Sequence, residues 1–217
     1  VTSAMHDGIQ GLRIGVLDGY FHDHATAPAR QVVQDAARVL GATPSVTWPD
    51  ASMARAAAFI ITASEGGQLH LEHLRTQADA MEPLSVDRFI AGALQPAAWY
   101  VQAQRFRRVY REKVNALFEH WDVLLAPATP VSAPTVGTEW LDLNGQQLPS
   151  RAAMGLLTQP ISFAGCPVVV APMWPDGTGG LPVGVQVIAA PWREEATFRV
   201  AQVLSQSGVA GLKKVSF

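Results

Sequence analysis

Short, nearly continuous apolar runs alternate with amphipathic stretches along this chain, and that alternation predicts most of its elements. Leu12 to Leu17 (LRIGVL) ends at Asp18-Gly19 and predicts a strand covered on both faces. From Pro28, a residue tolerated in a first helical turn, Val32, Val33, Ala36, Ala37, Val39 and Leu40 recur at helical spacing up to Gly41, a good stop residue. A second strand is expected over Ser45 to Trp48, and an alanine-rich helix from Ala51 or Ser52 through Phe59, Ile60 and Ile61 towards Ser64. The longest helical pattern runs from Ser85 to Trp121. Pro96 divides it, because proline lacks an amide donor and clashes with the preceding turn. In the second piece Phe106, Val109, Tyr110, Val114, Leu117 and Phe118 form an apolar stripe. Three further strand-length runs, Val123 to Ala126, Val168 to Ala171 and Val183 to Ile188, are bounded by proline and glycine. Thr129 to Ser150 reads as coil. The loops around Ala126 to Pro130 and Met173 to Pro182 read as surface or site-lining turns. The sum is an α/β chain with a mixed or parallel sheet flanked by helices.

Composition narrows the function classes. At 217 residues and 48% hydrophobic content the chain buries a sizeable core as one domain or a large part of one. With 16 basic against 18 acidic residues and net charge −2, it has no long-range attraction for nucleic acid or an anionic membrane. No apolar run approaches the roughly 20 residues of a spanning helix. One cysteine makes no internal disulfide and no secretory pattern opens the sequence, so a reducing cytoplasm is the expected compartment.

Few residues invite chemistry. A lysine that activates a serine must be held neutral by burial or by neighbouring charge. Lysine stands only at 113, 213 and 214, beside arginines and Glu112 or in a polar terminus. Cys166, just before a buried run, reads as a small core residue rather than a nucleophile. His22 and His24, and His70 and His73, form pairs, but zinc takes three or four ligands and nothing completes a set. The glycine-rich run from 177 to 184 precedes a strand and opens no helix, so it reads as a tight connection and not a phosphate cradle. Arg105, Arg107, Arg108, Arg111 and Lys113 form either a solvated basic face or a docking surface for an acidic partner.

Three segments carry a resemblance. TQPISFAGCPVVVAPMWPDGTGGLPVGVQVIAAPWREEATFRVAQVL (158 to 204), DVLLAPATPVSAP (122 to 134) and GLRIGVLDGY (11 to 20) resemble, in order and spacing, the amidase signature hydrolases. The resemblance covers nearly the whole chain and implies the C-terminal half of that mixed-sheet fold, residues 1–217 forming part of a single amidase domain. In the family two serines and a lysine break the amide bond, and they belong to an N-terminal half that this sequence does not match. The resemblance therefore implies no catalytic residue here, no cofactor and no metal, and a chain inactive by itself that completes a site with the missing half.

What it implies here is recognition. In DRFIAG (87 to 92), Arg88 stands where the glutamine-using branch grips a substrate carboxylate, a task suited to the planar guanidinium. The aspartate that pairs with the substrate ammonium in that branch falls on Gly155. A pocket with the clamp and without the ammonium partner prefers an acid lacking an amino group. Thr158 and Gln159 line the pocket or cap a helix. WPD (48 to 50), AAAFIITASEG (56 to 66), PLSVDRFIAG (83 to 92), QPAAWY (95 to 100) and the run from Arg105 to Phe118 resemble the 1-carboxybiuret hydrolase branch of cyanuric acid breakdown. Its substrate carries a carboxylate and no ammonium. That branch implies a small-molecule substrate, a homo- or hetero-oligomer and a small helical accessory subunit. The alternative is a half-length binding or scaffolding module that recruits such a helical partner, or a piece without separate biology, which would expose an apolar face.

Overall fold

The computed structural model describes residues 2–175 and 180–213. The glycine-rich connection read from the sequence lies partly outside them, at 177–179.

The apolar runs form a five-stranded mixed sheet. β1 (Ile14–Leu17) is followed by α1 (Tyr20–Asp23) and α2 (Ala27–Leu40), which leads into β2 (Thr43–Val46). β3 (Val123–Pro127), β6 (Val168–Met173) and β7 (Val183–Ala189) complete it in the order β2-β1-β3-β7-β6. β1 pairs parallel with β2 and β3, and β7 antiparallel with β3 and β6. Every residue of β3 is buried, as expected of a strand with both faces covered. α2 and α9 (Glu194–Gln206) pack on β3, β6 and β7 and against each other. Gly41 ends α2 in the left-handed conformation, φ 63°, where a glycine meets no Cβ penalty.

A second layer is helical. α3 (Ala51–Leu69) runs into the short α4 (Leu71–Thr76). α5 (Pro83–Leu94) and α6 (Ala97–Leu117) follow, separated at Pro96 as the sequence requires. α7 (Ser150–Met154) and α8 (Gln159–Ala164) connect back to the sheet. Tyr110, fully buried on α6, ties the layers together. Its hydroxyl accepts from Trp48 Nε1 at 2.7 Å and donates to the Pro160 carbonyl at 2.8 Å. Burial pushes that phenol's pKa upward, so the hydroxyl stays a donor.

Three sequence expectations need correction. β2 lies two residues earlier than Ser45 to Trp48, because Trp48 leaves the sheet to bury its indole against Tyr110. α3 runs five residues past Ser64, because Gly66 and Gly67 let α5 pack directly on its last turns. The segment read as coil holds a hairpin, β4 (Trp140–Leu143) and β5 (Gln146–Pro149). Its two-residue turn is Asn144-Gly145, with φ 55° and 86°, the positive angles that a tight hairpin demands. Asn144 Nδ2 donates to the Asp23 and Ala25 carbonyls, pinning the hairpin to the end of α1.

Candidate functional site

Four helices converge on one cavity of about 300 Å³. α3 contributes Thr62 and Glu65, three residues apart and so on one helix face. α5 contributes Arg88, α6 Arg107, and the start of α8 contributes Gln159 and Ser162, with Thr158 just before it. Ala58, Ile61 and Phe163 supply apolar walls.

Arg88 is held on two sides. A terminal nitrogen of its guanidinium donates to Thr62 Oγ1, which itself donates to the Ala58 carbonyl at 2.8 Å. The plane lies 4.8 Å from the Phe59 ring centre. Its Nε is buried and has no hydrogen-bond partner. Across the cavity, Gln159 Oε1 is likewise buried without a partner. A buried polar atom left unsatisfied costs about 1–3 kcal/mol. Arg107 donates from Nε to the Phe163 carbonyl at 3.0 Å and lies 5.4 Å from that ring. Glu65 accepts from Tyr100 Oη at 3.1 Å, and Gln104 Nε2 donates to the same hydroxyl at 3.0 Å. The cavity thus has two cations, one carboxylate and a neutral amide.

The structure brings Arg88, Thr158 and Gln159 together, with Gly155 directly behind Gln159. A Cβ built on Gly155 would sit 3.5 Å from Gln159 Cδ and 3.7 Å from Nε2. Thr158 occupies the N-cap position of α8 without capping it, and its Oγ1 lies 3.4 Å from the Gly155 carbonyl. Sequence reasoning missed Thr62, Glu65 and Ser162. It placed Arg107 on a basic face; Arg107 shares a groove there with Arg108 and Arg111 and also lines the cavity. Arg105, Arg108 and Arg111 are exposed, and Arg108 pairs with Glu112 at 3.2 Å. The signal available for Arg107 was its position one after Phe106 and three before Tyr110, beside the stripe rather than opposite it.

The remaining candidates have ordinary roles. Lys113 Nζ pairs with Asp50 Oδ2 at 2.6 Å and is half-exposed, and Lys213 lies 4.4 Å from the Trp174 ring centre. Lys214 lies outside the described residues. Burial pushes the Cys166 thiol up to about 12, so at neutral pH it is protonated and a poor nucleophile. His22 approaches Asp23 at 3.3 Å and His24 the Tyr20 carbonyl at 2.9 Å, while the His70 and His73 rings are 6.0 Å apart. Among the described residues no group of three or more His, Cys, Asp or Glu could hold a metal ion. No helix among them is long and apolar enough to cross a membrane.

A larger cavity of about 610 Å³ lies beside α2, lined by Leu17, Phe21, Val33 and Ala37. Its charged groups are engaged. Asp18 accepts from Ser45 Oγ and the Gly19 amide, each at 2.8 Å, which holds its carboxyl below the usual range. Arg30 and Arg38 are bonded to the Ala25 carbonyl and to Asp35. Size favours that cavity, and the two guanidiniums favour the smaller one.

The profile of the Amidase family matches residues 2–198. The chain belongs to the amidase family. The 1-carboxybiuret hydrolase subunit AtzE of Pseudomonas sp. (strain ADP) is 63% identical over 209 residues, covering 96% of this amidase chain and 46% of the relative. A glutamyl-tRNA(Gln) amidotransferase subunit of Halalkalibacterium halodurans is 27% identical over 233 residues, covering 94% and 47%. Among solved structures, an s-triazine catabolic enzyme in a protein complex superposes with TM-score 0.95 at 62% identity, over 98% of this chain and 46% of that one. A crystal structure of an amidase superposes with TM-score 0.84 at 22% identity, which shows the shared fold. The amidase chain spans about half the length of the relatives it matches.

Proposed function

We propose that residues 1–217 are the C-terminal part of an amidase that cleaves a C–N bond of a small carboxylated ureide such as 1-carboxybiuret, releasing ammonia. The serines and lysine that break the bond belong to the rest of the amidase, and this part recognises the substrate. The observation that carries the reading is the 63% identity to a 1-carboxybiuret hydrolase subunit over nearly the whole chain. The cavity agrees with it. Arg88, fixed by Thr62 and Phe59, offers a carboxylate two parallel N–H bonds, and Arg107 adds positive charge. Gly155 offers no charge to an ammonium group, which argues against glutamine as substrate. Thr158 and Gln159 complete the polar lining.

The rest of the amidase, and a small helical accessory subunit, are the proposed partners. Leu69, Leu94 and Trp99, on α3, α5 and α6, are 76%, 79% and 54% exposed and fit burial against another chain or segment. The solved relative's occurrence in a protein complex supports a partner.

Turnover distinguishes the parts of this reading. The intact amidase should release ammonia from 1-carboxybiuret with kcat/KM at least about 100-fold above that for glutamine, since glutamine brings an ammonium to a cationic cavity. Residues 1–217 by themselves should release none. Ammonia from the isolated residues at an enzyme-like rate would place the bond-breaking groups here, and a preference for glutamine would remove the substrate class.

A further inference from the structure

We infer that Gln186 is a positioning residue of the cavity, its carboxamide fixing where the α8 wall stands by tying the segment ahead of Thr158 to the end of β3. This role rests on the substrate reading of the cavity given above and adds a residue outside the cavity lining on which substrate binding depends.

β7 is built of valine, isoleucine, alanine and glycine apart from Gln186, which is 2% exposed and lies between the fully buried Val185 and Val187. A carboxamide in such a place costs stability unless its hydrogen bonds are made. Gln186 Nε2 donates to the Pro127 carbonyl at 2.9 Å and to the Leu157 carbonyl at 3.1 Å, which uses both of its protons. Pro127 is the last residue of β3. Leu157, itself fully buried, directly precedes the cavity residues Thr158 and Gln159. An apolar side chain at 186 would suit the strand equally well and would donate to neither carbonyl.

The wall needs support from outside. α8 has six residues with a proline in its first turn, too few to be stable by themselves, and Thr158 does not cap it. Three side chains hold the segment instead, at carbonyls three residues apart: Gln186 at Leu157, Tyr110 at Pro160 and Arg107 at Phe163. The residues between these anchors, Thr158, Gln159 and Ser162, line the cavity. Tyr110 and Arg107 both belong to α6 and fix α8 to a neighbouring helix, whereas Gln186 fixes it to the sheet. Without Gln186 the start of α8 is free to shift about the Tyr110 bond, and Thr158 and Gln159 move relative to a carboxylate held on Arg88.

Kinetics of the intact amidase with 1-carboxybiuret test this. Gln186→Met keeps the length of the side chain and loses both donors. It should raise KM by about 5- to 10-fold, the effect of losing one hydrogen bond between wall and substrate, with kcat changed by less than about 2-fold. Val187→Ala is the control, because that buried side chain leaves the opposite face of β7; it should lower the thermal midpoint and leave KM unchanged. Tyr110→Phe removes one oxygen, keeps the ring packing and frees the Pro160 carbonyl, so it reads the same wall where Gln186→Met does not fold, and it too should raise KM. An unchanged KM in Gln186→Met, or in Tyr110→Phe where the methionine variant does not fold, would overturn the role of Gln186. A KM raised equally by Val187→Ala would do the same, since general loosening of the core would then account for the effect. The substrate reading survives either result provided that Arg88→Ala still raises KM. If Arg88→Ala leaves KM unchanged, the cavity is not the substrate site and the role of Gln186 falls with it.

Discussion

Arg88→Ala is expected to raise the KM of the intact amidase for its carboxylated substrate by about 10- to 100-fold, with a much smaller change in kcat. The charge-assisted hydrogen bonds lost are worth about 1.5–3 kcal/mol, and each 1.4 kcal/mol is tenfold in affinity. A clamp that holds the carboxylate equally in ground and transition states acts on KM rather than on kcat. Arg88→Lys should recover only part of the loss, because a lysine has no planar fork to match two carboxylate oxygens and cannot repeat the Phe59 contact in the same geometry. Stability should change little, since Arg88 is partly exposed and the Thr62 hydroxyl keeps its bond to Ala58. Steady-state kinetics with the alanine and lysine variants read this directly. Equal loss in kcat with unchanged KM would move Arg88 from substrate grip to bond breaking.

Gly92→Ala should do the opposite, harming the fold first. A Cβ at position 92 would lie 1.8 Å from the Ala63 carbonyl oxygen and 2.2 Å from its carbon, contacts with backbone that no side-chain rotation relieves. Gly67, on α3, meets the Phe89 carbonyl at 2.6 Å and the Ala93 amide at 2.5 Å in the same test. The two glycines therefore set the spacing at which α5 rests on α3. An added methyl forces the helices apart, and overpacking of this kind costs about 1–3 kcal/mol or more. Because Arg88 sits one turn before Gly92 and reaches Thr62 on α3, the same separation pulls the guanidinium from its anchor. Thermal denaturation of the intact amidase should show a lowered midpoint for Gly92→Ala, and the variant that remains folded should show weakened carboxylate binding. An unchanged midpoint would mean that α3 and α5 are not packed this closely.

The strands were legible because their signal is local. Val123 to Ala126 is apolar without interruption, and a strand buried on both faces needs nothing else. The break at Pro96 and the stop at Gly41 were legible for the same reason. The hairpin was missed although its strongest cue, Asn144-Gly145, was present, because β4 and β5 are only four residues long and mostly exposed. Non-local features stayed hidden. Gly66, Gly67 and Gly92 lower helix propensity in isolation, and only the contact between α3 and α5 explains them. Trp48 read as strand because its burial depends on Tyr110, 62 residues away.

In the sequence, only family resemblance groups the candidate residues. Arg88, Gly155, Thr158 and Gln159 are ordinary residues in sequence, and no spacing rule links 88 to 159. Arg107 was grouped with its arginine neighbours because composition records charge and not direction. What separates it is the single bond to the Phe163 carbonyl, made possible by the way α6 crosses α8. Thr62 and Glu65 had no signal beyond their helical spacing.

The most direct test is a crystal structure of the intact amidase with N-carbamoylglycine bound. The account predicts the carboxylate on Arg88, and the serines and lysine contributed by the remainder of the protein. A ligand seated instead in the cavity beside α2, or a carboxylate turned away from Arg88, would contradict it.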